Sequence, residues 1–279
     1  MEVFTSISDL RLYIKNKRAS QLSIGFVATM GALHEGHQSL ISTSTHQNDI
    51  TVCSIFVNPT QFNNQEDLKK YPRNLDQDLQ LLKESGCSAV FAPSVEEMYE
   101  SLPVLSFNFG SLETVMEGAA RPGHFNGVGI VVSRLFNIVQ PDRAYFGQKD
   151  LQQVAVIKQM VKDLAFPIEL VICPTLRKED GLAMSSRNQR LNTHEKTEAT
   201  FIYKILSESK QALLEGVTPN EVSKVVASQF EEHPDFTLDY FEIVQLDTLQ
   251  PVSEITLNHT ALCIAAYIGS VRLIDNILL

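Results

Sequence analysis

Over roughly its first two-thirds the chain alternates strand-length apolar runs with longer segments whose apolar residues recur every three or four positions. That alternation is the sequence form of repeated βαβ units around a parallel sheet. It predicts buried strands at 23–28, 50–57, 89–92, 144–146 and 168–173, with helices at 36–47, 75–84, 125–139 and 151–163. The fold class is therefore α/β, and this part reads as a doubly wound parallel sheet. Open sheets of this kind hold ligands beyond the carboxyl ends of their strands, so the strand-to-helix turns are the places to look for chemistry.

After Pro174 the pattern changes. Segments 193–215 and 219–231 read as amphipathic helices, and 237–246 and 261–268 as strands with no helix between them. That is a smaller C-terminal α+β unit, and the change puts a boundary near 173–176, dividing the chain into domains 1–175 and 176–279. In Val217-Thr218-Pro219-Asn220, Thr218 is suited to cap the second helix, with Pro219 at its first position.

With 44% hydrophobic residues in 279, the chain has ample material for a buried core. Its 23 Lys+Arg against 33 Asp+Glu leave a net charge of −10, which gives no electrostatic support to nucleic-acid or anionic-membrane binding. Any anionic ligand must be held by a few local cations. Cys53, Cys87, Cys173 and Cys263 stand far apart without a CxxC, which argues against a zinc module or a disulfide scaffold and fits a reducing compartment. The N-terminus alternates charged and apolar residues, and no run approaches 18 apolar residues, so a cytoplasmic protein is expected.

The richest segment is Ile24-Gly25-Phe26-Val27-Ala28-Thr29-Met30-Gly31-Ala32-Leu33-His34-Glu35-Gly36-His37, a strand entering a helix through a glycine-punctuated turn. Two histidines three apart share a face of the opening helical turn, where unpaired N–H groups and the positive dipole end favour an anion such as phosphate. A zincin-like metal site is the competing chemistry, but His-Glu-Gly-His is one residue short of HExxH and has no evident third ligand. The plain alternative is a pair of loop histidines capping a helix. A second segment, Lys178-Glu179-Asp180-Gly181-Leu182-Ala183-Met184-Ser185-Ser186-Arg187-Asn188, is polar and expected to be mobile. Two hydroxyls beside a guanidinium suit a polyphosphate clamp, and a solvated interdomain linker is the alternative.

Together, HxGH and MSSR resemble the paired HIGH and KMSKS signatures of the nucleotidyl-transferase superfamily, whose two loops hold the ATP phosphates during attack on the α-phosphate. Further segments narrow the resemblance: Phe56-Val57-Asn58-Pro59-Thr60-Gln61-Phe62, Glu66-Asp67-Leu68-Lys69-Lys70-Tyr71-Pro72-Arg73, Arg121-Pro122-Gly123-His124-Phe125-Asn126-Gly127-Val128, Phe146-Gly147-Gln148-Lys149-Asp150-Leu151-Gln152-Gln153 and Val271-Arg272-Leu273-Ile274-Asp275-Asn276. In this order they resemble the pantothenate synthetase (pantoate–β-alanine ligase) family over essentially the whole chain. The resemblance implies a Rossmann-like domain that binds nucleotide and pantoate, followed by a C-terminal lid. It implies ATP-dependent condensation of pantoate with β-alanine through a pantoyl adenylate, giving pantothenate, AMP and pyrophosphate, in a cytoplasmic homodimer requiring Mg²⁺.

Residue by residue, the resemblance implies that His34 and His37 contact ATP phosphates, His37 as proton donor, and that Met30, Gly31, Ala32, Leu33, Glu35 and Gly36 line the nucleotide site. Gly147, Gln148, Lys149 and Asp150 would also bind ATP, as would Met184, Ser185, Ser186 and Arg187, with the Leu176 backbone touching adenine. His34, His37, Lys149, Ser185, Ser186 and Arg187 would form the catalytic set. Gln61 and Gln153 would bracket pantoate, Gln61 also meeting β-alanine, while Asn58, Tyr71, Arg121 and His124 line or gate the site and Asp78 contacts Mg²⁺. The charges suit a carboxylate attacking another anion, since cations and N–H donors must offset the repulsion. Each residue also has a plainer alternative: Gln61 as a surface polar residue, Lys149 and Asp150 as an ion pair capping the next helix, Arg121 and His124 as loop fixtures.

The chain departs from the family pattern at Ala28, Gln77, Leu151 and Arg190, and Gln77 leaves the Mg²⁺ expectation on Asp78 alone. Another small nucleotidyltransferase would use the same two loops, and only Gln61 with Gln153 speaks against it. An aminoacyl-tRNA synthetase would need a basic surface, and a non-catalytic scaffold would have lost the phosphate-binding cations.

Overall fold

In the computed structural model, residues 1–63 and 65–279 are described. The chain forms two compact units, one of Met1–Gly147 with Gln153–Pro174, the other of Gln148–Gln152 with Thr175–Leu279.

The first unit is built on a six-stranded sheet of β1 (Glu2–Phe4), β2 (Ile24–Thr29), β3 (Ile50–Ile55), β4 (Ala89–Phe91), β5 (Arg143–Gly147) and β6 (Glu169–Cys173). The strand order is β1-β4-β3-β2-β5-β6 and every pairing is parallel. β2 and β3 are apolar and almost wholly buried, as strands covered by helices on both faces must be. From β2 the chain steps one way to β3 and β4, and later the other way to β5 and β6. The sheet thus has its switch point between β2 and β5, and the turns leaving their carboxyl ends flank the crevice where such sheets bind ligands. The expected strands and helices are present, and among the elements not anticipated two lie at the start of the chain. β1 is a three-residue edge strand, largely exposed, and the helix Ile7–Ala19 buries only Leu10 and Ile14, so neither carries much periodic apolar signal.

In the second unit β7 (Phe236–Gln245), β8 (Thr260–Ile268) and β9 (Val271–Leu278) form an antiparallel sheet in that order. Ile205, Leu206, Val226, Phe230, Leu262 and Ile264 are among the residues of its core. The helix expected over 193–215 is two helices, Thr193–Glu198 and Phe201–Leu214. Between them Thr200 and Ile202 bond back three residues, to Thr197 and Ala199, so the ladder tightens and the axis is broken. Thr218 caps Pro219–Glu231 through a reciprocal pairing with Glu221. The third strand, β9, carries Asp275 and Asn276, residue types depleted in strands, which hid it from the apolar pattern. Among the described residues no helix is long and apolar enough to cross a membrane. All four cysteines are buried free thiols.

Candidate active site

The turn leaving β2 is made by two consecutive left-handed residues, Gly31 at φ +84° and Ala32 at φ +51°. Gly31 is needed twice over, for its φ and because a Cβ there would lie 2.9 Å from Asp78 Oδ2 and 3.2 Å from Ile55 Cγ2. Ala32 has no such freedom, and its conformation costs on the order of 1 kcal/mol. The offset comes from Asp78, whose Oδ2 accepts the Ala32 N–H at 2.9 Å and whose Oδ1 accepts the Leu33 N–H at 2.8 Å. Asp78 is 3% exposed; burial pushes its carboxyl up, and the two amides pull it back in part. The residue expected to contact Mg²⁺ is thus placed against the turn that carries His34 and His37. Each carboxylate oxygen accepts one of the two amides, so Asp78 holds the turn from both sides.

The two histidines that follow cap the helix Glu35–Gln47 reciprocally. His34 Nδ1 accepts the Gly36 N–H at 3.1 Å, and His37 Nδ1 accepts the His34 N–H at 3.3 Å. A backbone N–H can only donate, so each Nδ1 acts as acceptor and the N–H of each ring sits at Nε2. The ring centroids are 4.1 Å apart, which sets two N–H donors side by side at a helix N-terminus. The capping role named as the plain alternative is thus real, and it is what orients the donors.

A second group of expected residues is joined in one network. Asn58 and Gln61 flank the short 3₁₀ turn after β3, are 1% and 7% exposed, and bond to each other, while Gln61 Nε2 lies 3.1 Å from Met30 Sδ. His124 Nδ1 donates to the Gln61 carbonyl at 2.8 Å, which leaves its Nε2 to face Arg121 Nη1 at 3.4 Å. Tyr71 packs edge-on against Phe62, centroids 5.8 Å apart. Gly127 brings its helix against this turn, where a Cβ would lie 2.3 Å from the Thr60 carbonyl oxygen. One member was not anticipated: Tyr99, 8% exposed, donates from its hydroxyl to Asn58 Oδ1 at 3.0 Å. Nothing local to Tyr99 signals this, because its partner lies 41 positions away. Gln153, on the helix Leu151–Asp163, is half-buried.

In the second unit, Asn276 sets the segment that carries Lys149. Its Nδ2 donates to the carbonyls of Gln148 at 3.0 Å and Lys149 at 2.9 Å, and its Oδ1 accepts from Gln148 Nε2 at 3.2 Å. Lys149 Nζ stands 3.8 Å from the carboxylate of Asp150. The 178–188 segment, expected as a mobile loop, is internally bonded: Met184 N–H donates to Leu176 O and Lys178 N–H to Leu182 O, both at 2.9 Å, forming a hairpin. Ser186–Arg190 then form a 3₁₀ turn capped by Ser185, whose Oγ accepts the Arg187 N–H at 3.3 Å. At the root of the hairpin Arg177 grips Asp275 with two bonds, 2.5 and 2.9 Å, and stacks 4.1 Å from the Tyr203 ring. Asp275 and Asn276 stood in one of the segments that carry the family resemblance but were given no role, and Arg177 was not singled out.

The model of the pantoate-beta-alanine ligase family matches residues 2–278. Pantothenate synthetase of Bacteroides thetaiotaomicron is 50% identical over 279 residues, 99% of this chain and 98% of the relative. That of Cytophaga hutchinsonii is 48% identical over 277 residues, 99% of this chain and 98% of the relative. Among solved structures, pantothenate synthetase from Thermus thermophilus superposes with a TM-score of 0.93 at 41% identity, covering 100% of this chain and 99% of that one. The pantoate-beta-alanine ligase of Francisella tularensis, solved with beta-gamma ATP and beta-alanine, gives a TM-score of 0.83 at 37% identity over 100% of this chain and 97% of that one.

Proposed function

We infer the reaction from descent, since the chain belongs to the pantoate–β-alanine ligase family, and it is an ATP-using ligase that joins pantoate to β-alanine. We propose two steps. A pantoate carboxylate oxygen attacks the α-phosphorus of ATP, the new O–P bond forming as the bond to pyrophosphate breaks. The unprotonated amine of β-alanine then attacks the acyl carbon, loses a proton, and expels AMP with the bonding electrons, leaving pantothenate.

The observation that carries this reading is the reciprocal cap at His34 and His37, which presents two Nε2–H donors where a strand of a switch-point sheet meets its helix. In our reading these donors meet phosphate oxygens, and His37 supports charge that develops in the transition state. Lys149 and Arg187 add positive charge, Ser185 and Ser186 hydroxyl donors, and the segments 30–37, 147–150 and 184–187 with the Leu176 backbone take the remaining ATP contacts. Gln61 and Gln153 hold pantoate, with Asn58, Tyr71, Arg121 and His124 around them. ATP enters as its Mg²⁺ complex, the metal coming with the phosphates and neutralising part of their charge. A cytoplasmic homodimer without nucleic-acid or membrane partners completes the proposal.

Exchange of labelled pyrophosphate into ATP tests the order of steps. With pantoate and Mg²⁺ present and β-alanine absent, exchange is expected, because activation needs no amine. Exchange that strictly requires β-alanine, in protein active overall, would overturn the adenylate.

A further inference from the structure

We propose that Asp78 is a positioning residue for the adenylation step, a built-in anion that holds the turn 30–34 and thereby sets where His34 and His37 stand, and that it is not a metal ligand. The catalytic part of this proposal rests on the reading of the two histidines as ATP donors.

Successive amide N–H groups in a turn can point to one place and form a concavity suited to an anion. In the turn made by Gly31 and Ala32, the amides of Ala32 and Leu33 converge on one carboxylate. A phosphate is the ligand such a turn would otherwise take. Asp78 already occupies it, buried at 3% exposure, with one oxygen for each amide. Its own place is fixed, because it lies in the first turn of the helix Leu75–Glu84, where its N–H donates to the carbonyl of the capping Asn74 at 3.0 Å and negative charge is favoured.

Two consequences follow. The amides of Ala32 and Leu33 are not available to ATP, so the phosphate contacts of this turn pass to the Nε2 atoms of His34 and His37. The histidine cap begins at the residue after Leu33, so a shift of the Asp78-bonded amides displaces both rings together. Misplacement of reacting groups by about 1 Å can cost roughly 10²-fold in rate.

The test is Asp78→Asn, which keeps the shape and one acceptor but faces the second amide with an NH₂ group. In the ligand-free, metal-free protein, hydrogen exchange at the Ala32 and Leu33 amides is expected to be slow in the native chain and at least about tenfold faster in the variant. In the assay with ATP, kcat is expected to fall roughly 10- to 100-fold while the Mg²⁺ concentration giving half-maximal rate moves less than about twofold. Unchanged exchange at both amides, or a Mg²⁺ requirement raised about tenfold with full rate restored at high Mg²⁺, would overturn the proposal. Should Asp78→Asn fail to fold, Gly31→Ala decides, since its Cβ presses on Asp78 Oδ2: it must reproduce the faster exchange and the loss of kcat with the Mg²⁺ requirement unmoved. The exchange measurement involves no substrate, so its failure is separate from a failure of the assigned reaction.

Discussion

Asn58 Nδ2 donates to Gln61 Oε1 at 3.2 Å, and that contact fixes which end of the Gln61 amide is left to donate. Asn58 cannot be reversed. Its Oδ1 accepts the Thr60 N–H at 3.3 Å, and its Nδ2 donates to the Gly127 carbonyl at 3.1 Å; an amide N–H only donates and a carbonyl only accepts. Gln61 must therefore accept at Oε1, which leaves its Nε2 against Met30 Sδ, a weak acceptor that an incoming oxygen can replace. If Gln61 holds pantoate as proposed, it does so as a donor.

Gln61→Glu, which puts an acceptor and a charge where the donor stood, should lower kcat/KM for pantoate by roughly 10- to 100-fold, the worth of a hydrogen bond to a charged group. Tyr99→Phe removes one of the bonds that hold Asn58 and should cost about two- to tenfold, also in the pantoate term. Steady-state kinetics with each substrate varied should leave the KM for ATP within about twofold in both variants. A native pantoate KM in Gln61→Glu would sink the donor assignment.

The histidine cap predicts an order among substitutions at His37. Glutamine carries its amide nitrogen the same number of bonds from Cα as Nε2, whereas asparagine reaches only the position of Nδ1. If the Nε2–H is the working donor, His37→Gln should keep more of the single-turnover adenylation rate than His37→Asn. His37→Ala should lose roughly 10² to 10³, the scale for a preorganised donor to transition-state charge. Equal rates for the two amide variants would show that Nε2 is not the atom in use.

How much of this was readable beforehand follows the range of the interactions. The HxGH turn, the alternating strands and the Thr218 cap are local: a residue and its neighbours within four positions decide them. Asp78 was readable as a carboxylate near the site but not as the partner of amides 45 and 46 positions earlier. Strand β9 was obscured for the same reason. Asp275 and Asn276 are tolerable in a buried strand only because Arg177, 98 positions away, and the carbonyls of Gln148 and Lys149 satisfy them. The split at Ala199–Thr200 lies at the other extreme, a change of hydrogen-bond register too small to disturb apolar spacing.

The Arg177 and Asp275 pair should be costly to break from one side. Their side chains are 16% and 4% exposed, so Asp275→Ala leaves a guanidinium largely buried without its counter-ion, a loss of about 3–5 kcal/mol. Denaturant unfolding should register it as a lower midpoint, and the 178–188 hairpin should become protease-sensitive. Replacing both partners, as Arg177→Met with Asp275→Leu, should recover much of the stability. A single substitution costing under about 1 kcal/mol would show that the pair is not what anchors the hairpin.

The thiol of Cys87 gives the stability a dependence on alkaline pH. Burial pushes it from its usual 9.0 up to about 11, an effect only partly offset by backbone hydrogen bonding, that of Ala89 foremost. In the unfolded chain Cys87 ionises as pH rises past 9, while in the folded chain it keeps its proton until about 11. Across that window the folded state binds more protons than the unfolded, so stability falls as pH rises, by about 3 kcal/mol for two units. Below pH 9 the thiol is protonated in both states and its full contribution is present. Cys87→Ala should carry a roughly constant penalty up to pH 9, and its stability should then decline less steeply than the parent's, by about one proton's worth of slope between 9 and 11. Denaturant unfolding at pH 8, 9, 10 and 11 under reducing conditions measures both curves. Parallel curves would mean that the Cys87 thiol ionises alike in the two states, and that its burial does not protect it.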